Sequence, residues 1–116
     1  MSLPKATEDL IQAKKDLKEF GFCYIANALS KEEISSVKTR LIEQASGERR
    51  LNIATMEYEG SNQRLFALVN KGQVFRELMM RPVVEEMAAS CLGENFILSS
   101  LTANIAGKGG KKMPLH

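Results

Sequence analysis

The sequence predicts an α+β chain, on three observations: several segments whose apolar residues recur at helical spacing, a short aromatic-rich segment that reads as an early strand, and a late apolar run with little charge. Composition permits a packed core. The 116 residues are 44% hydrophobic and 26% charged, which places them among ordinary globular chains, and a domain of this length buries well over half of its unfolded surface. No internal repeat or linker divides the chain, so a single domain over 1–116 is expected.

In the first element, Ala6, Leu10, Ala13, Leu17 and Phe20 lay an apolar stripe along a helix. Thr7, Glu8 and Asp9 suit its start, and Gly21 suits the C′ position. Lys14, Lys15 and Lys18 fall towards its end, where cations complement the carbonyl dipole, and they read as a solvated face. Phe22 to Ala28 then reads as a short strand, with Phe22 and Tyr24 on one side and Cys23 and Ile25 on the other.

Ser30 and Glu33 have the spacing of a capping box, in which each side chain satisfies the other residue's backbone N–H. Ile34, Val37, Leu41 and Ala45 give the second helix its apolar face, and Gly47 is expected to end it. Residues 48–63 are polar and irregular apart from Leu51, Ile53, Met56 and Tyr58, which predicts a loop with weak strand character. Val74 to Met80 predicts a short helix. Pro82 interrupts it and opens another through Leu92, stopped by Gly93. Phe96 to Ile105 predicts a strand buried on both faces, followed by a turn over residues 106–112.

A formal charge of +2 with no concentrated basic face points to no nucleic-acid or membrane partner. No stretch approaches the roughly 18 continuous apolar residues of a membrane helix. The start MSLPKATEDL lacks an apolar signal region, so a cytoplasmic location is expected. Cys23 and Cys91 lack CxxC spacing and are expected to be reduced core residues.

The turn Gly107, Lys108, Gly109, Gly110, Lys111, Lys112 invites a phosphate-binding reading. It fails both the P-loop and the dinucleotide templates, so a hairpin or loop is expected instead. Arg64 taken alone reads as a surface arginine with an apolar stem. Asn104, if buried in the last strand, would have to satisfy its amide by hydrogen bonds. His116 is the only histidine, and a mononuclear iron site needs three protein ligands.

The order of the segments FGFCYIANALSKEEISSVKTRL, RELMMRPVVEEMAASCLG, NFILSSLTANIA and KKMPLH resembles the N-terminal part of the phytanoyl-CoA dioxygenase family. That resemblance implies the helical and first-strand portion of a double-stranded β-helix (jelly roll, cupin-like), incomplete here and cut at the first metal-ligand histidine. It implies iron(II) as the metal, with His116 as the first ligand of a two-histidine, one-carboxylate triad, and 2-oxoglutarate as co-substrate. Arg64 matches a basic position near 2-oxoglutarate and Leu101 a position lining the same pocket. The implied reaction couples decarboxylation of 2-oxoglutarate to hydroxylation of a small organic or acyl-type substrate.

The remaining ligands, and the arginine expected on the far carboxylate of 2-oxoglutarate, are not matched in this sequence. The isolated chain is therefore expected to be inactive, and a strand left unpaired at Phe96 to Ile105 would be an aggregation liability. The rival reading is a small, mainly helical interaction module without catalysis. The sequence says nothing of oligomeric state.

Overall fold

A computed structural model describes residues 2–110 of the chain. They fall into two units, each made of two chain segments: residues 2–34 with 77–97, and residues 35–76 with 98–110. Among the described residues, no helix is long and apolar enough to cross a membrane.

The first unit opens on a two-residue strand, β1 (Ala6–Thr7), where the apolar spacing predicts helix. Asp9 explains the difference. Its Oδ1 accepts from the backbone N–H groups of Ile11 at 2.9 Å and Gln12 at 3.4 Å, which makes it the N-cap and starts α1 (Leu10–Phe20) one turn later. The extended residues before it pair in parallel with β2 (Tyr24–Ile25), Ala6 opposite Tyr24 and Thr7 opposite Ile25. Gly21 closes α1 at φ 80°, donating its N–H to the Leu17 carbonyl at 3.0 Å. The early strand is thus two residues long, not seven as Phe22 to Ala28 would make it.

In the same unit, Arg81 is extended (φ −66°, ψ 138°), as the residue before a proline tends to be, and α4 (Pro82–Leu92) starts on Pro82 as expected. Gly93, at φ 81°, ends it. α1 and α4 are in contact, and Lys14 Nζ meets Glu86 Oε1 at 2.8 Å. The capping box forms: Ser30 N–H donates to Glu33 Oε1 and Glu33 N–H to Ser30 Oγ, both at 3.1 Å. Arg81 pairs with the second oxygen of Glu33, so the start of α2 (Lys31–Arg50) is tied to the residue that precedes α4.

Helix α2 continues into the second unit and passes Gly47, where the sequence predicts its end. Its actual stop is a Schellman arrangement at Asn52, which adopts φ 58°. Ile53 N–H reaches the Glu48 carbonyl at 3.0 Å and Asn52 N–H the Arg49 carbonyl at 3.1 Å. The extra turn survives a helix-interior glycine because it is held from outside, Glu48 by Lys71 and Arg49 by Gln63. A glycine there costs roughly 0.5–1 kcal/mol against alanine, which such contacts outweigh.

The polar stretch predicted as loop with weak strand character carries the hairpin β3 (Thr55–Glu57) and β4 (Asn62–Leu65), whose second strand runs two residues past it. Tyr58, Glu59 and Gly60 all carry positive φ at its tip, and Ser61 closes the turn onto the Tyr58 carbonyl through its N–H at 3.2 Å and its hydroxyl at 2.8 Å. β5 (Ala103–Ala106) adds antiparallel to β4, giving the order β3–β4–β5. The late strand is four residues rather than ten, and its burial alternates. Its length matches that of β4, its only partner among the described residues. Ile97 and Leu98, expected inside a strand buried on both faces, are exposed.

Ala45, Leu65, Leu68 and Phe75 form the core of this unit, with Val37, Leu41, Val74, Leu101, Ala103 and Ile105 packed on it. Phe75 lies on α3 (Gln73–Met79), the short helix expected before Pro82. Both cysteines are unpaired thiols; Cys23 is half-buried, but Cys91 is exposed and does not belong to a core.

Candidate functional site

The β3–β4–β5 sheet has two chemically different faces because side chains alternate along each strand. Gln63 and Leu65 point towards α2: Leu65 joins the core, and Gln63 Nε2 donates to the Ala45 carbonyl at 3.0 Å. Asn62 and Arg64, one residue out of step, therefore lie on the opposite face. Register adds Thr55 and Asn104 beside Arg64, and Glu57 and Ala106 beside Asn62. The result is a polar sheet face backed by an apolar core.

Arg64 is held there loosely. Its Nη1 lies 3.6 Å from Glu57 Oε1, an ion pair too long for a hydrogen bond, and its guanidinium carbon sits 5.5 Å from the centroid of the Phe66 ring. Its Nε is buried and has no partner among the described residues. Asn62 is 2% exposed, and its Oδ1 likewise lacks a donor. A buried polar atom left unmatched costs roughly 1–3 kcal/mol, so two on one sheet face mark it as unusual.

The glycine turn explains how Asn62 is covered. Gly107 N–H donates to the Ser61 carbonyl at 2.8 Å, and Gly110 N–H donates to the Gly107 carbonyl at 3.0 Å. A Cβ on Gly107 would overlap the Ser61 carbonyl oxygen, and one on Gly110 would overlap Asn62 Oδ1. These two glycines are therefore needed for close approach to β4 and its turn, which agrees with the structural reading of the motif over residues 107–110. Lys111 and Lys112 lie outside the described residues.

Of the residues singled out from sequence, the two cofactor candidates among the described residues, Arg64 and Leu101, do not converge. Arg64 is on the polar face, whereas Leu101 packs against the core and gives its carbonyl to the Leu68 N–H at 3.1 Å. His116 lies outside the described residues, so its metal-ligand assignment is not addressed by the fold. Asn104, weighed as a buried strand residue, is exposed opposite Arg64. Among the described residues, no group of three His, Cys, Asp or Glu side chains could hold a metal ion. Asn62 and Glu57 were not singled out from sequence; the available signal was the polar residue two places before Arg64, which on a strand shares its face.

The chain is similar to a dioxygenase. Dioxygenase af480 of Aspergillus fumigatus is 29% identical over 126 aligned residues, covering 98% of this chain and 41% of that protein. The chain thus spans about two-fifths of the length of the curated relative it matches. No family model matches the chain. No solved structure matches it either.

Proposed function

We propose that this chain forms the N-terminal portion of an iron(II)- and 2-oxoglutarate-dependent dioxygenase that hydroxylates a small organic or acyl-type substrate. The observation that carries this reading is the similarity to Dioxygenase af480 running through almost the entire chain. Arg64 supports it. A half-buried guanidinium with an Nε–H unused among the described residues, beside a long ion pair and the Phe66 ring, suits a carboxylate of 2-oxoglutarate, since charge-assisted hydrogen bonds are the stronger kind.

Within this reading, the metal and 2-oxoglutarate supply the oxidising chemistry, and the residues of this chain supply placement. Arg64 binds and orients the co-substrate carboxylate, Phe66 flanks the guanidinium, and the core behind β4 keeps the strand from shifting. Leu101 contributes through that core. The iron donor set is incomplete here, because one histidine cannot supply the ligands of a mononuclear centre. The 116-residue chain by itself is accordingly expected not to turn over 2-oxoglutarate.

Calorimetry with 2-oxoglutarate and iron(II), on this chain and on any longer product of the same gene, tests the assignment. In the form that binds both, Arg64→Met is expected to weaken 2-oxoglutarate by about 10- to 100-fold, the worth of a charged hydrogen bond. His116→Ala is expected to abolish iron binding. Unchanged 2-oxoglutarate affinity in Arg64→Met would refute the role of Arg64, and failure of every form to bind either ligand would refute the oxygenase reading.

A further inference from the structure

The first unit carries an open, cleft-like cavity of about 560 Å³ between the segment at residues 2–7 and one side of α1. Its size falls within the range of small-molecule sites. Leu3 and Phe20 contribute apolar surface; Thr7, Gln12, Asp16 and Glu19 contribute polar groups. Asp16 is the unusual member. It is 7% exposed although it lies on a surface helix, and it lines the cavity.

Gln12 Nε2 donates to Asp16 Oδ1 at 2.8 Å, a neutral partner for a charged group. Among the described residues, no lysine or arginine forms an ion pair with Asp16. The four ion pairs among the described residues involve Lys14, Arg64, Lys71 and Arg81, and Lys5, though it lines the cavity, is not among them. A carboxylate taken out of water is expensive unless a counter-charge meets it. The Thr7 hydroxyl already accepts the Asp9 N–H at 3.0 Å, which leaves its own hydrogen free to donate.

This arrangement selects among ligands by charge. An anion would face Asp16 and Glu19, whose two charges outnumber that of Lys5, and an uncharged hydrophobe would leave Asp16 without a counter-ion among the described residues. A metal ion is not favoured by a lining with only two carboxylates and no histidine or cysteine. A compact organic cation meets each demand, pairing with Asp16 while its stem lies against Leu3 and the Phe20 ring, where an aromatic face also attracts positive charge.

We propose that this cavity binds a small organic cation, a primary ammonium or guanidinium on a short apolar stem, with Asp16 as its counter-charge. The proposal does not rest on the oxygenase reading. The test is calorimetry on the 116-residue chain with n-butylguanidinium and n-butylammonium chloride, with butyrate as the anionic control, for wild type and Asp16→Asn. At least one cation binds saturably to wild type, about tenfold or more weaker to Asp16→Asn, and butyrate does not bind.

Backbone amide shift mapping on the wild-type chain covers the case in which Asp16→Asn does not fold. Cation-induced shifts are expected at Thr7, Gln12, Asp16 and Phe20. No saturable binding of either cation, equal binding by Asp16→Asn, equal binding of butyrate, or shifts confined to other residues would each overturn the proposal.

Discussion

Replacing Glu48 by Gln removes one charge from the second unit while keeping the shape of the side chain. Glu48 is 7% exposed at its side chain and accepts from Lys71 Nζ at 2.6 Å and from Gln44 Nε2 at 3.0 Å. Burial alone would push its carboxyl up, but the hydrogen bonds from Lys71 and Gln44 and the charge on Lys71 outweigh that and hold it below the usual value of 4.5. A hydrogen bond to a charged group is worth about 1.5–3 kcal/mol, and because Lys71 is itself 28% exposed, solvent screening brings the expected loss to about 1–2 kcal/mol at neutral pH. The sign follows from linkage. A carboxyl with a lowered folded-state pKa contributes stability that is present above about 4.5, the unfolded value, and is lost as pH falls through the depressed one. Urea unfolding of wild type and Glu48→Gln at pH 7 and at pH 3 is the assay. The difference should shrink at pH 3, because other carboxylates titrate alike in both proteins. An equal difference at both pH values would refute the ionic origin of the effect.

Gly47→Ala should stabilise the chain by about 0.5–1 kcal/mol in the same assay, because Gly47 is inside α2 and an added Cβ meets nothing within 4 Å. A loss of stability would show that the helix does not pass through this residue. Gly107→Ala should be destabilising by more than about 1 kcal/mol, since the new methyl group would overlap the Ser61 carbonyl and force β5 away from the β3–β4 turn. Asp9→Ala should lower stability by about 1 kcal/mol through loss of the α1 cap, measured by thermal unfolding with circular dichroism; Asp9→Ser should recover most of it.

Local signals located the elements whose ends are decided locally. Ser30 with Glu33, Pro82 after Arg81, and Gly21 and Gly93 at positive φ mark helix boundaries through groups only a few residues apart, and the structure has each of them. Gly47 misled for the opposite reason. Its helix penalty is local, but the contacts that carry α2 past it come from Lys71 and Gln63, distant in sequence. The true stop, Asn52, was a legible signal, since asparagine tolerates the left-handed conformation better than most residues.

The sequence by itself determined most of the helical frame and a mixture of helix and strand, while Arg64 taken alone read as a surface arginine and was singled out by the family resemblance. Only the tertiary structure decided which side chains share a face. The strand that carries Arg64 begins in a polar stretch with little hydrophobic alternation, so only weak strand character was legible there, and neither its bounds nor its register could be read from it. Pairing with β3 and β5 put Asn62, Glu57 and Asn104 around Arg64 and sent Leu101 into the core behind it. The physical reason is the two-residue period of a strand: a face is chosen by which side meets the helix, and here that choice was made by Leu65, Gln63 and Ala45 across long sequence separations.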